Sequence, residues 1–563
     1  MDDFSKLELP EPDLSDLKTR YTEIAEGIDD LNGNDGRGEA LFHLIEQWDE
    51  IRREIDSWCN LTEIRFNQDT KNPAYKAAMD RLDEIHPKLT DLDVTIKKLL
   101  LVDHRKAKIV ERYGAQATEL WQCQVNAFDP AVEQDLVEEA KLVSKYNELL
   151  ASATFTFQGK ETNLSGITEY AEDNDRTVRY DALSTMWGWF AENSDALDEI
   201  YDKMVQLRDR IAKKLKYDNF VQLAYQRMSR VDYTEQDVQQ YRQEVIDKIV
   251  PLCTEIRKRQ GETLQLDPLM YWDEAVHDAA GNPRPQGSYE HQIEQAQAMF
   301  DGMSPQLGEF FQLMRDKNLM DLKNRPGKAG GGFCASLLQQ RVPFIFANFN
   351  GTLGDVEVFT HEIGHAYQCY SSMSQPLTDI VWPTMESCEI HSMSLEYLCW
   401  PHMEKFFGDA ADRFRRIHLT SRLLFLPYGV AIDHYQHEVY NQPGLSPKER
   451  NAKWRELEEL YLPHMQFGDL PHLPEGGRWQ KQRHVYMSPF YYIDYTLAQC
   501  CALQFWVRSQ QNFDQAVEDY QALCARGGTL PFQELARSAD LKSPFTKGCL
   551  TDVAAEASKF LGL

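Results

Sequence analysis

A chain of 563 residues is too long for one ordinary hydrophobic core, so two or more lobes are expected. With 42% hydrophobic and 26% charged residues it has the make-up of a soluble globular protein, not of a disordered or membrane-spanning one. A formal charge of −29 repels phosphate backbones and anionic lipids, which excludes nucleic acid and membrane surfaces as natural partners. The acidic start, "MDDFSKLELPEPDL", has no apolar run behind basic residues and so no secretory signal, and no stretch of about 18 apolar residues suggests a spanning helix. The eleven cysteines form no C-x-x-C pair and are scattered singly apart from Cys500-Cys501. That usage fits free thiols in a reducing compartment, and a cytoplasmic location is expected.

Most segments show apolar residues at three- and four-residue steps and are predicted helical, which makes the fold class mainly α. The first clear case is 41–66, "LFHLIEQWDEIRREIDSWCNLTEIRF". Residues 153–162, "ATFTFQGKET", alternate and break at Gly159, which predicts a small hairpin. Helical periodicity returns over 180–217, and Gly, Pro and Asn then mark loops within 263–295. A glycine run opens "GGGFCASLLQQRVPFIFANFNGT" (330–352), whose "RVPFIFANF" part is β-branched or aromatic and predicts a strand. Its edge could pair with an extended peptide through Phe346, Ala347 and Asn348.

The next segment carries chemistry. "DVEVFTHEIGHAYQCY" (355–370) reads as a helix capped by Thr352, with Asp355 three residues on. His361 and His365 stand one turn apart on one face and can share a metal ion. Glu362 is rotated by about 100° and can reach an attacking water without binding the metal, as a general base requires. Chance alone produces H-E-x-x-H in such a chain with a probability on the order of a few per cent. Glu357, one turn ahead of His361, is placed to accept the non-ligating N–H of a histidine. Gly364 costs about 1 kcal/mol inside a helix relative to Ala, which points to close approach by a neighbouring backbone or by substrate.

A catalytic zinc site needs a third protein ligand and an open position. "VWPTMESCEIHSMSLEYLCW" (381–400) is predicted as a second helix, with Pro383 in its first turn and an end near Trp400. Glu386, Glu389 and Glu396 lie along one face, and helix geometry does not choose between Glu386 and Glu389. Further on, "AIDHYQHEVY" (431–440) offers His434, His437 and Glu438, a rival metal site by spacing alone. "RHVYMSPFYYIDYTLAQCCALQFW" (483–506) has His484 before a helix expected to start at Ser488-Pro489, and Tyr491, Tyr492 and Tyr495 share a broad face. Phenols and imidazole are suitable donors to an oxyanion. The last clear helix is 514–528.

Together these motifs resemble the thimet oligopeptidase and oligoendopeptidase F family of zinc metallopeptidases. "DVEVFTHEIGHAYQ" is similar to the family's H-E-x-G-H helix, and "CEIHSMSLE" to its third-ligand segment, in which a second glutamate follows seven residues later. The resemblance therefore implies His361, His365 and Glu389 as ligands of one Zn²⁺ per chain, Glu396 as the supporting later acid and Glu362 as the base. It implies that His484, with Tyr492, Tyr495 and thirdly Tyr491, binds substrate and stabilises the tetrahedral intermediate. The 431–440 segment resembles one that lacks metal, and is expected to be a packed helix or cleft wall with His437 toward substrate. The likeness covers roughly 150–563, where "FTFQGKETNLSGI", "DRTVRYDAL" and "RIAKKLKYDNF" follow in family order. Residues 1–150 match as an N-terminal helical region forming part of one cleft wall, and 151–563 as the catalytic region. The implied fold is a helical, zincin-like ellipsoid with a deep central cleft and a small sheet beside the active-site helix. The implied activity is endopeptidase cleavage of short oligopeptides. A helical zinc carboxypeptidase and a non-catalytic peptide-binding protein with zinc are the alternatives.

Overall fold

The computed structural model describes residues 3–31 and 38–563. Its contacts divide the chain into two compact units, each assembled from three stretches of sequence. One comprises Met1–Val125, Arg284–Ala411 and Cys501–Ser543; the other comprises Asn126–Pro283, Asp412–Cys500 and Pro544–Leu563. Helices dominate both. Among the described residues none is long and apolar enough to cross a membrane.

The first unit is organised by the N-terminal helix Glu39–Gln68, which buries Leu41, Ile45, Trp48, Ile51 and Trp58 at helical spacing. These residues share a core with Leu89, Ile96 and Trp121, and with Leu377 and Ile380 far along the chain. The same unit holds a three-stranded sheet of β3 (Met320–Lys323), β4 (Phe333–Leu337) and β5 (Val342–Phe349), in the order β3-β5-β4. β3 runs parallel to β5, and β4 antiparallel to it with Leu337 opposite Val342 and Phe333 opposite Phe346. The histidine helix Leu353–Ser372 follows β5, and the glutamate helix Met385–Leu398 packs against it. Thirteen of the glutamate helix's residues are buried, so its face pattern has little polar side to give it away. The helix begins at Met385 with Thr384 as its N-cap, so Pro383 stands outside the first turn.

The second unit contains the hairpin of β1 (Phe155–Phe157) and β2 (Lys160–Thr162), where the sequence pattern placed it. Gln158 and Gly159 make its turn with φ of 49° and 75°, the positive pair that a two-residue hairpin loop requires. The expected helical stretch 180–217 is two helices, Arg176–Glu192 and Ser194–Lys214, interrupted at Asn193. The loop region within 263–295 ends earlier than its composition suggests, because Ser288 caps a helix that starts at Tyr289.

Candidate metal centre

The N-terminus of the histidine helix is closed by Asp355, whose carboxylate reaches back to accept from the N–H groups of Asn350 (2.9 Å) and Gly351 (2.7 Å). Thr352 occupies the cap position but gives no side-chain bond to the helix; its hydroxyl donates instead to Asn350 Oδ1 at 2.7 Å. From this anchored end the helix presents His361 and His365 with ring centroids 5.0 Å apart. Both Nε2 atoms point at one oxygen of Glu389, which lies 3.2 Å from His361 and 3.5 Å from His365. These three residues supply ligand atoms within 4.8 Å of one another, the single such group among the described residues. Glu386, left open by helix geometry, is not part of it.

The two helices meet this closely because of Gly364. A Cβ there would lie 2.6 Å from Ser392 Cα and 2.7 Å from His391 O, both backbone atoms that cannot swing aside. A neighbouring backbone, not a substrate, explains the glycine. Ser392 is a site residue the sequence did not reveal. Its hydroxyl donates to Glu389 Oε2 at 3.0 Å, and the only signal is its position three residues after Glu389. Glu396 lies 2.8 Å from His361 Nδ1, so the later acid orients the first histidine and leaves its Nε2 toward Glu389. Glu357, expected in that role, is half-buried one turn ahead, while Nδ1 of His361 is taken by Glu396.

The electrostatics call for a cation. Burial disfavours charge on His361, yet the Glu389 and Glu396 carboxylates outweigh it and push the imidazole up to about 10. Burial likewise opposes charge on Glu389, but His365 and His361 hold its carboxyl well below the usual range. Glu362 goes the other way: burial raises its pKa, and the two histidines offset that only in part. Among the described residues its buried Oε2 finds no hydrogen-bond partner, and neither does Nδ1 of His365. Two imidazoles and a carboxylate converging on one point, beside a buried carboxylate oxygen with unused accepting capacity, fit a divalent metal with nitrogen and oxygen ligands.

The sheet lies directly beside this group. A Cβ on Gly332 would stand 3.4 Å from Glu362 Oε1, so the glycine leading into β4 borders the base. The expectation that Phe346, Ala347 and Asn348 offer a strand edge is corrected by the topology. They belong to β5, the central strand, which is paired on both sides. Instead they hold the glycine segment: Lys328 Nζ donates to Ala347 O (2.6 Å) and sits 4.4 Å over the Phe346 ring, and Asn348 Nδ2 donates to Ala329 O (2.9 Å) and Gly331 O (2.8 Å). The outer strand on this side is β4.

In the second unit His484, Tyr491, Tyr492 and Tyr495 form one half-buried cluster. The His484 ring lies 5.7, 5.0 and 5.9 Å from the three tyrosine rings in that order. Tyr491 precedes the helix, which starts at Tyr492, not at Pro489; the left-handed Phe490 (φ 67°) separates them. Arg230 donates to Phe490 O at 2.5 Å, and Phe490 N–H donates to Gln436 Oε1 at 2.9 Å, which holds this turn. Tyr428 O–H donates to Gln482 Oε1 (3.0 Å), and this orients the Gln482 amide to donate to His484 Nδ1 (2.8 Å). The proton of a neutral His484 therefore sits on Nε2. Burial, aided by Arg483, lowers the His484 pKa and favours that neutral form. Burial, Tyr428 and Tyr495 raise the Tyr492 phenol well above its usual value, so it remains an O–H donor.

His437 is corrected as a substrate contact. It is 3% exposed, with Nδ1 3.1 Å from Arg242 Nη1 and 3.0 Å from Asp433 O, and Nε2 3.4 Å from the Tyr225 hydroxyl. Its neighbour His434 has Nδ1 3.0 Å from the Tyr461 hydroxyl, and the segment is a packed part of the helix Ala411–Asn441.

Residues 169–554 match the model of Peptidase family M3, and residues 4–128 that of the Peptidase M3 N-terminal domain. The chain is 21% identical over 464 residues to an oligoendopeptidase F homolog of Borreliella burgdorferi (strain ATCC 35210 / DSM 4680 / CIP 102532 / B31), covering 79% of this chain and 72% of that one. The solved structure of PZ peptidase A with an inhibitor superposes with a TM-score of 0.93 at 38% identity, covering 100% of this chain and 99% of the other. A structure described as an oligoendopeptidase F from Bacillus anthracis str. Ames gives 0.88 at 41% identity, covering 100% and 98%. Matched by family models over most of its length, the chain belongs to peptidase family M3 and is by that membership a metallopeptidase.

Proposed function

We propose that the protein is a zinc metalloendopeptidase that cleaves internal bonds of oligopeptides, with one Zn²⁺ per chain held by His361, His365 and Glu389. The observation that carries this reading is the convergence of both Nε2 atoms on Glu389 Oε2, at 3.2 and 3.5 Å, beside a Glu362 oxygen that has no hydrogen-bond partner among the described residues. When bound, zinc supplies Lewis acidity to the scissile carbonyl and to the attacking water. Glu362 Oε2 accepts the proton of that water and delivers it to the leaving amine. Burial raises the pKa of its carboxyl, which suits a base that must also hold and return the proton. Glu396 keeps the Nδ1 proton of His361 in place and so its Nε2 lone pair available. On the family likeness alone, we assign His484 Nε2–H and the phenols of Tyr492 and Tyr495 as oxyanion donors and Tyr491 as a further substrate contact. The substrate extends along the outer edge of β4, next to Gly332 and Glu362, by backbone pairing that tolerates varied side chains.

The test is a set of internally quenched peptides, blocked at both ends and graded in length, assayed with and without a chelator. Internal cleavage of blocked peptides that stops with the chelator is expected, together with no cleavage of folded domains. Removal of residues only from free C-termini would favour a carboxypeptidase. Full activity in a protein shown to contain no metal would end the reading.

A further inference from the structure

The edge of β4 is open for only part of its length. Ile345, opposite Cys334, turns its N–H away from β4 to donate to Leu319 O at 2.9 Å, and Pro343, opposite Ser336, has no N–H, so these are the non-bonded pairs of the antiparallel ladder. Alternation then assigns Phe333, Ala335 and Leu337 to the bonds with β5, and turns the N–H and C=O groups of Cys334 and Ser336 outward. The outward carbonyl of Ser336 is already taken: Asn60 Nδ2 on the N-terminal helix donates to it at 2.8 Å. One turn earlier on that helix, Ser57 Oγ accepts from Gln339 N–H at 2.9 Å. Burial follows the same division, since Phe333, Cys334 and Ala335 are half-exposed while Ser336 and Leu337 are buried.

We propose that Asn60 closes the β4 edge at Ser336 and so fixes how many substrate residues can pair on that side of the scissile bond. This rests on the reading of β4 as the substrate-docking strand. Gly332 borders Glu362, and Ser336 lies four residues on, about 13 Å at the usual strand rise. A peptide laid antiparallel to β4 meets the outward backbone groups of Cys334 first and the Asn60 amide at the next outward position. It therefore pairs through about three residues beyond the reacting centre, and longer extensions must leave the strand. Asn60 is thus a specificity-determining residue that acts by standing where a substrate N–H would bond.

The experiment uses the full-length enzyme and two peptide series. In the first, one side of the cleaved bond grows from one to six residues while the other side stays constant, and each side is varied in turn. The wild type is expected to gain in kcat/KM up to about three residues on one side only, and then to level or fall. Asn60→Ala, which uncovers Ser336 O, is expected to extend the gain by at least one residue. The advantage should be about three- to tenfold for the longest peptides, the range of one added hydrogen bond, with the shortest peptides unchanged. Asn60→Leu keeps the bulk without the donor and should retain the wild-type cut-off. Equal effects on all lengths, or the same cut-off in the alanine variant and the wild type, overturn the role of Asn60. The second series methylates one substrate backbone nitrogen at a time on the wild-type enzyme. Loss of kcat/KM at one alternating set of positions supports β4 docking independently of any variant. Indifference at every position removes the docking reading, and the Asn60 proposal falls with it.

Discussion

At the scale of single residues the candidate centre separates roles that its composition would leave mixed. Three glutamates lie within reach of the two histidines, and their surroundings make them different. Glu389 faces both Nε2 atoms and is held ionised by them. Glu396 bonds the far nitrogen of His361. Glu362 is buried with an unpartnered oxygen and a raised pKa. Glu362→Gln should therefore lower kcat by roughly 10²- to 10⁴-fold while metal content, read by atomic absorption, stays at the wild-type level. Glu396→Gln should keep the shape but lose the negative charge behind His361. Its metal affinity should drop by about 10- to 100-fold in a competition titration with a chromophoric chelator. Glu386→Gln in the same titration should change little, because Glu386 is not among the converging groups.

Between elements, the centre depends on how closely two helices approach and on the connection that joins them. Gly364 permits the approach, and Gly364→Ala should destabilise the protein by about 1–3 kcal/mol in denaturant unfolding and weaken metal binding, since the clash is with backbone. The connection between the helices is tied to the N-terminal helix at three points. Asp49 accepts from Thr378 N–H at 2.7 Å, Arg53 donates to Gln375 O at 2.9 Å, and Arg52 pairs with Asp379. Burial opposes the charge of Asp379, but Arg52 and Lys97 prevail and hold its pKa at about 2. A depressed carboxyl pKa stabilises the fold above its unfolded value of about 4 and stops doing so as pH falls through about 2. Asp379→Asn should cost about 3 kcal/mol near neutral pH and flatten the stability curve between about pH 4 and 2, as followed by urea unfolding.

Over the whole molecule, the N-terminal 125 residues belong to the same compact unit as the metal group, although some two hundred residues of sequence intervene before the histidines. Trp48, Leu89 and Trp121 share their core with Leu377 and Ile380, which lie between the histidine and glutamate helices. Metal binding and folding of this unit should accordingly be linked. A ligand that binds only the native state stabilises it by about 4 kcal/mol when present at a thousand times its Kd. Chelation should abolish peptide cleavage and lower Tm in calorimetry, and added Zn²⁺ should restore both. Glu362→Gln should show the same Tm shift although its kcat is already strongly reduced, which separates ligation from catalysis.

Local pattern determined a good deal of this protein: the helical class, the hairpin around Gly159, the strand over "RVPFIFANF" and the pairing of His361 with His365 on one helical face. Each is set by side-chain period or turn chemistry within about a dozen residues, which a chain carries wherever it is placed. Family likeness added Glu389 and Glu396, which the helix period alone could not single out because Glu386 shares their face. Only the tertiary structure decided that β5 is central and β4 outer, that Glu396 meets Nδ1 of His361, that His437 is enclosed, and that a neighbouring backbone accounts for Gly364. Those features depend on which segments meet across hundreds of residues, and the choice is made by packing and by burial of polar groups rather than by any local period.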